Sequence, residues 1–359
     1  MPLRPGTPKE AGLDPARLQH AWKLCEAWAE SGRVPGAAVA VARQGVLLPP
    51  GAFGRRQLAG VVQPMEPDAV FLVASVTKPV TALAALLLVE RGLLSLRDQV
   101  AVHLPEFGNR GKEAIEVIHL LTHTSGLPDM LPENLELRRW HAPLSVFVEH
   151  ICQCGLLFRP GTRVSYQSMG TAILGRLVEQ LSGMPLPAFM QQEIFAPLGM
   201  HSTSLGLTAT LSRRVAEVNL PAEEERQDWT WNKPYWQQFG APWGGMFSTA
   251  ADLCALLQML LEEGGGLLSL PAARAMIADQ TSRLPGLPPE ARQRSQAWGL
   301  GWCVGNWGDL GSPQSFWHGG ATGTLVGADP RTGLVSAIFT TQPEAPLYLA
   351  ANAVQGAVI

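Results

Sequence analysis

The chain has 359 residues, 46% of them hydrophobic, which is enough to bury a large core. Its 27 Lys and Arg residues nearly balance its 30 Asp and Glu residues, so no basic surface for nucleic acid is expected. Residues 1–12 lack the apolar core of a secretory signal, and the longest apolar stretch, residues 79–89, is too short to span a bilayer. The sequence therefore predicts a cytoplasmic protein with no membrane span.

Cysteine and histidine spacings give little support for disulfides or a metal site. Five cysteines are an odd number scattered over a long chain, which argues against a disulfide framework. His150 lies near Cys152 and Cys154, but the sequence offers no matching second pair of ligands. His119 and His123 are spaced like ligands on one helical turn, yet the glutamate of the zinc-protease signature does not follow His119. We expect no metal and no cofactor.

The N-terminal part predicts a helix, a hairpin and a buried strand that enters a second helix. Residues 13–31 carry apolar side chains at helical spacing behind Asp14, which is suited to capping a helix. Small and β-branched residues over 36–48, interrupted by a glycine turn, predict a hairpin. A short apolar strand over residues 70–73 then leads into an Ala- and Leu-rich helix over residues 74–90.

Helical patterns fill the middle of the chain and strand patterns return near its end. The middle helices are expected over residues 114–121, 144–154, 171–181 and 187–195. Thr249 and Asp252 form a capping-box pattern for a helix that ends near residue 263. Strands are expected over residues 297–304, 315–318, 324–328 and 334–341, before a last helix over residues 346–358.

Strands at both ends of the chain with helices between them indicate two lobes. Residues 1–92 and 244–359 are expected to form a sheet lobe from both termini. Residues 93–243 are expected to form a mostly helical lobe inserted into it. A substrate cleft is expected where the two lobes meet.

The first chemical motif is Ser75-Val76-Thr77-Lys78, at the point where the buried strand becomes a helix. Three residues make about one helical turn, so the serine hydroxyl and the lysine amine share a face. The helix N-terminus stabilises an oxyanion, and an amine buried in an apolar cleft can lose its proton near neutral pH. A helix-capping serine beside a surface lysine is the alternative. The apolar neighbours of this lysine, one of five in the chain, favour catalysis.

The second motif is Tyr166-Gln167-Ser168, just ahead of another apolar helix. A tyrosine hydroxyl there can project into the cleft and relay a proton, provided that a nearby cationic amine lowers its pKa. A core tyrosine with a satisfied hydroxyl is the alternative.

The third motif, Trp317-His318-Gly319-Gly320-Ala321, falls in a strand pattern. Two glycines let a ligand or another backbone approach closely, and such a strand edge can bind substrate and supply an N–H to an oxyanion. A simple β-bulge is the alternative.

Aromatic residues crowd the segment before Gly244. Trp236 and Trp243 belong to this group and are predicted to line a substrate pocket. An aromatic lid packed on the core explains the same composition.

Together the motifs resemble the class C β-lactamase-related superfamily of serine hydrolases. The S-x-x-K, Tyr and H-G-G motifs occur in that family's order, accompanied by Leu121-Thr122-His123-Thr124-Ser125-Gly126-Leu127 and by the Gly244-Gly245 segment. The superfamily includes penicillin-binding proteins, D-aminopeptidases and family VIII carboxylesterases. The resemblance implies a β-lactamase/transpeptidase-like α/β fold, in which helices flank an antiparallel sheet and an all-helical lobe is inserted. It also implies that Ser75 accepts the acyl group, that Lys78 and Tyr166 transfer protons, and that the N–H groups of Ser75 and Ala321 form the oxyanion hole.

Two departures from the β-lactamase motifs bear on substrate choice. Tyr-x-Asn is replaced by Tyr166-Gln167-Ser168, and Lys-Thr-Gly is replaced by His318-Gly319-Gly320. A largely neutral imidazole then stands where a fixed cation meets the carboxylate of a β-lactam. We place Ser168, His318, Gly319 and Gly320 in the substrate-binding set and expect uncharged esters to be preferred.

The leading hypothesis is a carboxylesterase that acts on a small-molecule ester or amide through a covalent acyl-enzyme. The alternatives are a peptidase or amidase for D-amino-acid substrates, a weak β-lactamase, or a catalytically silent binding protein with the same fold. No G-x-S-x-G motif occurs, so the sequence does not point to an α/β-hydrolase esterase.

Overall fold

A computed structural model describes residues 3–290 and 296–359. The strands are β1 (Arg4–Pro5), β2 (Gly36–Arg43), β3 (Val46–Leu47), β4 (Gly51–Leu58), β5 (Val61–Pro64), β6 (Val70–Leu72), β7 (Ser204–Leu205), β8 (Val215–Ala216), β9 (Met246–Ser248), β10 (Ala297–Trp298), β11 (Cys303–Val304), β12 (Phe316–Gly320), β13 (Thr324–Asp329) and β14 (Leu334–Thr340).

The α-helices are α1 (Pro15–Glu30), α2 (Thr77–Glu90), α3 (Val100–His103), α4 (Val117–Leu121), α5 (Asn134–Arg139), α6 (Leu144–Gln153), α7 (Met169–Ser182), α8 (Leu186–Met190), α9 (Ala209–Ser212), α10 (Ala222–Glu225), α11 (Pro234–Phe239), α12 (Ala250–Leu261), α13 (Leu270–Ile277) and α14 (Leu347–Gln355). A 3-10 turn, Ala74–Val76, precedes α2, and a π-helical turn, Gln191–Phe195, follows α8.

The larger sheet brings the two ends of the chain together. Its strand order is β1-β3-β2-β14-β13-β12-β11-β10, and β4 and β5 extend it from β2. All neighbours are antiparallel except β1 and β3. Because β2 of the N-terminal part pairs with β14 of the C-terminal part along its whole length, both ends are needed to build one sheet.

Both faces of the central strands are buried. Side chains alternate between the two faces of a strand, and β2 carries small or apolar residues at nearly every position. Ala38, Ala40 and Ala42 face the core that contains α2 and α12, while Val39 and Val41 face the core beneath α1 and α14. Helix α1 begins as predicted, because Asp14 accepts hydrogen bonds from the first N–H groups of the helix. The sheet is thus flanked by helices on both faces.

A smaller sheet positions the predicted nucleophile. Its order is β7-β9-β6-β8, so β6, which leads directly to Ser75, lies between β9 and β8. Strands β7 and β8 come from residues 93–243, so this mostly helical segment is not wholly helical. The division of the chain into two lobes stays a prediction.

Most predicted elements are confirmed with shifts at their ends. The hairpin over 36–48 is β2 and β3, and Thr249 caps α12 through its side chain. The predicted strand over residues 297–304 was wrong in its length, because a turn at Gly299–Gly301 divides it into β10 and β11. Within the described ranges, no helix is both long and apolar enough to cross a membrane.

Candidate active site

Ser75 lies on a tight turn between β6 and α2. Ala74 adopts a left-handed backbone conformation, with φ 45°, which turns the chain sharply from strand to helix. Thr77 closes the turn, because its hydroxyl donates to the Ala74 carbonyl (2.6 Å) and accepts the Met246 N–H (3.1 Å). Ser75 is partly exposed although the residues on either side of it are buried. The turn therefore presents this hydroxyl to solvent from an otherwise closed core.

Lys78 lies beside Ser75, one helical turn further along. Its Nζ is 3.0 Å from Ser75 Oγ and 3.0 Å from the carbonyl oxygen of Trp243. The side chain is only 3% exposed. Burial lowers the pKa of Lys78 to about 7, and the nearby charge of Asp129 partly opposes this fall. At neutral pH a substantial fraction of Lys78 is thus an uncharged amine that can accept a proton.

The Tyr166 hydroxyl also forms a hydrogen bond with Ser75. Burial raises the pKa of its phenol, and a hydrogen bond to Ser75 partly offsets the rise. Lys78 Nζ lies 4.6 Å from the centre of the Tyr166 ring. The condition set from the sequence, a pKa of Tyr166 lowered by a cationic amine, is not met, because burial has the larger effect and raises that pKa. Tyr166 is therefore a protonated phenol at neutral pH.

The H-G-G strand docks directly on the Ser75 turn. Thr324 Oγ1, on β13, donates to the Val73 carbonyl at 3.0 Å, and the Thr322 hydroxyl donates to the Leu72 carbonyl at 2.5 Å. A Cβ atom on Gly320 would lie 2.3 Å from the Val73 oxygen, so only glycine permits this approach. Ala321 follows at the exposed turn between β12 and β13. The participation of its N–H in an oxyanion hole stays a prediction.

His318 is a buried neutral imidazole at this strand. Its Nδ1 donates to the Gly319 carbonyl at 2.8 Å, which leaves Nε2 unprotonated. Burial, reinforced by the charge of Lys78, lowers the pKa of His318 to about 3. The sequence predicted a largely neutral histidine with an ordinary pKa; the site keeps it neutral at every working pH.

Gln167 and Ser168 diverge from Tyr166. The Gln167 side chain turns toward α4, where it donates to the His119 carbonyl at 3.2 Å. Ser168 Oγ donates to Asp129 Oδ1 at 2.7 Å, and Ser168 is 1% exposed. The position occupied by an amide in β-lactamases thus carries a hydroxyl that holds a carboxylate.

Trp236 and Trp243 have buried side chains. Trp236 stacks on the Arg138 guanidinium, 4.0 Å from its ring centre, and the Trp243 ring lies 5.8 Å from that of Phe239. Trp243 contributes its main-chain carbonyl to Lys78. These contacts agree with the alternative of aromatics packed on the core, and a substrate contact by either ring stays a prediction.

Three residues around the site had no predicted role in it, although His123 was considered as a metal ligand and belongs to a quoted motif. Asp129 adds a negative charge, while His123 and Trp298 pack against the Tyr166 ring at centroid distances of 4.7 and 5.8 Å. His123 belongs to the L-T-H-T-S-G-L motif, and Asp129 follows that motif by two residues. The motif could have pointed to His123 and Asp129, but their roles depend on tertiary contacts that the sequence does not show.

Comparison with known proteins decides the family. Residues 17–358 match the beta-lactamase family. The chain belongs to this family. It is 32% identical over 321 residues to Penicillin-binding protein 4 of Amycolatopsis lactamdurans, which covers 86% of this chain and 81% of that protein. Members of the family are serine hydrolases, and this chain is a serine hydrolase with the β-lactamase/transpeptidase fold.

Solved structures with the same fold include esterases. The structure titled "EstCE1, a hydrolase with promiscuous acyltransferase activity" superposes with a TM-score of 0.78 at 23% identity, over 95% of this chain and 99% of that one. A family VIII carboxylesterase superposes with a TM-score of 0.79 at 20% identity, over 96% and 99%. At these identities the likeness shows the fold alone.

Proposed function

We propose that this beta-lactamase-family hydrolase is a carboxylesterase that cleaves small neutral esters through an acyl-enzyme on Ser75. The observation that carries the covalent mechanism is the 3.0 Å contact between Ser75 Oγ and the buried Lys78 amine, and the neutral His318 supports the choice of a neutral ester. An uncharged amine at that distance accepts the serine proton as Oγ attacks the ester carbonyl carbon. The N–H groups of Ser75 and Ala321 then stabilise the negative carbonyl oxygen.

Tyr166 completes the proton path in this mechanism. Its hydroxyl donates a proton to the leaving alkoxide and recovers one from the Lys78 ammonium. A water molecule then attacks the acyl-enzyme while Lys78 accepts its proton; the acid leaves and Ser75 regains its hydrogen. An amide nitrogen must be protonated before it leaves, and a phenol with a raised pKa is a weak acid, so the site favours esters over amides.

The charges around Ser75 favour uncharged substrates. A neutral His318 replaces the lysine that would attract a substrate carboxylate, and Asp129 adds a negative charge nearby. Attraction between a carboxylate and a partly exposed cation is worth roughly 1 kcal/mol, several-fold in kcat/KM. This supports the preference for neutral esters over β-lactams and peptides that end in a carboxylate.

Steady-state kinetics on a matched panel test the proposal. Short-chain nitrophenyl esters are expected to have a higher kcat/KM than a chromogenic cephalosporin or a D-alanyl-D-alanine peptide at pH 7.5 and low salt. Ser75→Ala serves as the inactive control. A cephalosporin turned over faster than the esters would overturn the preference and point to a β-lactamase.

The Ser168–Asp129 hydrogen bond favours a second candidate, an esterase or amidase for acyl groups that bear a free amine. The Asp129 carboxylate is exposed, yet close enough to Lys78 for its charge to affect the pKa of that residue. A substrate ammonium group can pair with it. Asp129→Asn is then expected to lower kcat/KM several-fold for a D-aminoacyl ester but not for its N-acetylated form. Asp228→Asn, an exposed carboxylate beside His141, is the matched control. Equal effects of Asp129→Asn on both esters would exclude this candidate.

A further inference from the structure

His123 holds the main chain on both sides of Tyr166. Its carbonyl oxygen accepts the Ser165 N–H at 2.8 Å, and its side-chain Nδ1 accepts the Gln167 N–H at 3.1 Å. A backbone N–H can only donate, so Nδ1 carries no proton and the imidazole hydrogen is on Nε2. One residue thus accepts hydrogen bonds from the N–H groups of both sequence neighbours of the tyrosine.

The same imidazole packs against the tyrosine ring. The ring centres of His123 and Tyr166 are 4.7 Å apart, and the Trp298 ring lies 4.2 Å from His123 in an edge-on arrangement. Trp298 also contacts Tyr166, at 5.8 Å. On the side of Ser75, the ring faces the Lys78 amine. The Tyr166 ring is therefore confined by His123 and Trp298 while its hydroxyl bonds to Ser75.

The backbone conformation of His123 is one that favours glycine, so the end of the helix does not explain why a histidine is present. Helix α4 ends at Leu121, and His123 follows with φ 58°, the left-handed conformation that favours glycine after a helix. Thr124 N–H donates to the His119 carbonyl and closes the helix end. A glycine would make this turn without strain, so helix capping does not account for a histidine here.

Packing alone does not explain a histidine here either, because its polar side chain is buried. His123 is 2% exposed, and burial keeps the pKa of its imidazole well below the ordinary value. Among residues 3–290 and 296–359, Nε2 finds no hydrogen-bond partner, although it is buried. Burying an unpaired polar atom costs free energy. A leucine of similar size would avoid this cost but could not accept a hydrogen bond from the Gln167 N–H.

We propose that His123 is the positioning residue that holds the Tyr166 hydroxyl against Ser75. This role rests on the proposed function only in so far as Tyr166 transfers a proton. His123 itself contacts no reacting atom in this scheme. It acts by holding the main chain at Ser165 and Gln167 and by packing against the Tyr166 ring.

His123→Gly is the decisive variant, because glycine suits the helix end but removes both the acceptor and the ring. We expect kcat on a simple alkyl ester, whose alkoxide leaves with the Tyr166 proton, to fall by about 100-fold with KM changed less than about threefold, as for a misplaced catalytic group. A nitrophenyl ester, whose phenolate leaves without a proton, should lose less. His123→Asn should recover part of the loss, since asparagine tolerates the left-handed conformation and offers an oxygen to the Gln167 N–H. If His123 served only to end α4, His123→Gly would keep its kcat.

His141 supplies a matched control. It also follows a helix, α5, in the left-handed conformation with φ 52°, and its ring stacks on a tyrosine, Tyr235, at 4.7 Å. His141 makes none of the contacts with residues 165–167 that His123 makes. His141→Gly is expected to keep kcat within about twofold, as substitutions away from the reacting groups usually do.

A spectroscopic readout separates this inference from the proposed function. The chain has three tyrosines, so ring-labelled tyrosine NMR gives few signals, and Tyr166→Phe identifies that of Tyr166. Because His123→Gly also removes the ring current of the imidazole, the readout is the flip rate of the Tyr166 ring and not its chemical shift. His123→Gly should speed this flip, whereas His141→Gly should not. An unchanged flip rate, or a His123→Gly variant with more than half the wild-type kcat on the alkyl ester, would overturn the inference. A faster flip in a protein whose wild type cleaves no ester supports the positioning role and refutes the esterase.

Discussion

Replacing Lys78 by methionine should make the folded protein more stable at pH 6 while abolishing turnover. Burial lowers the pKa of Lys78 from 10.5 to about 7, so below pH 7 folding must hold an ammonium group in a buried site. The shift corresponds to an energetic penalty of up to ~5 kcal/mol. Methionine removes the penalty but leaves the Trp243 carbonyl without its partner, which costs about 1–3 kcal/mol. The net gain expected at pH 6 is therefore about 2–4 kcal/mol.

The sign of the effect should reverse with pH. Between pH 7 and 10.5 the unfolded chain binds more protons than the folded one at this lysine, so wild-type stability rises with pH over that range. Above about pH 10 the wild type no longer has the cost of burying the Lys78 ammonium group. The variant still lacks the hydrogen bonds of that lysine, so Lys78→Met becomes the less stable protein. The two stability curves should cross between about pH 8 and 10.

Urea unfolding of wild type and Lys78→Met from pH 6 to 10.5 measures this crossing. Lys23→Met, which replaces an exposed lysine in α1, is the matched control and should change the free energy of unfolding by less than about 0.5 kcal/mol at every pH. A Lys78→Met protein that is destabilised equally at pH 6 and pH 10 would refute a neutral buried amine.

Three further predictions concern activity. First, kcat/KM of the wild type should rise with pH through about 7 to a plateau, because only uncharged Lys78 accepts the Ser75 proton; a profile flat from pH 5 to 8 would contradict this. Second, Asp129→Asn should move that rise to lower pH, because the carboxylate opposes the lowering of the pKa of Lys78; a shift to higher pH would reverse the argument. Third, Gly320→Ala should cripple turnover or folding, since its Cβ would lie 2.3 Å from the Val73 oxygen, whereas the nearest atom to a Cβ on Gly319 is 3.8 Å away. Circular dichroism and ester kinetics on both alanine variants check this, and equal effects would show that the close approach is unimportant.

Local spacing made part of the site predictable from sequence. Ser75 and Lys78 are one helical turn apart, so their contact follows from helix geometry once the strand-to-helix transition is identified. The pKa of His318 did not follow in the same way, because it depends on burial by elements distant in sequence. Asp129 and His123 reach Ser168 and Tyr166 across about forty residues, and only tertiary structure brings them together.

The fold was predicted best where burial imposes a clear pattern. Helix α1 carries an aspartate cap and an apolar stripe, and β14 is a continuous buried run, so both were identified. Strands β4 and β5 were missed, since glycine and exposed polar residues interrupt their pattern and pairing with β2 supplies the missing stability. The turn between β10 and β11 was missed because apolar residues flank its glycines.

Identification of the acylated residue shows whether Ser75 is the nucleophile. Wild-type protein is incubated with a fluorophosphonate and, separately, quenched during turnover of a slow nitrophenyl ester, and the intact mass and the labelled peptide are measured. We expect one adduct per chain, located on Ser75 and absent from Ser75→Ala, which keeps its fold. An adduct on another residue, or ester turnover by Ser75→Ala at the wild-type rate, would contradict this expectation.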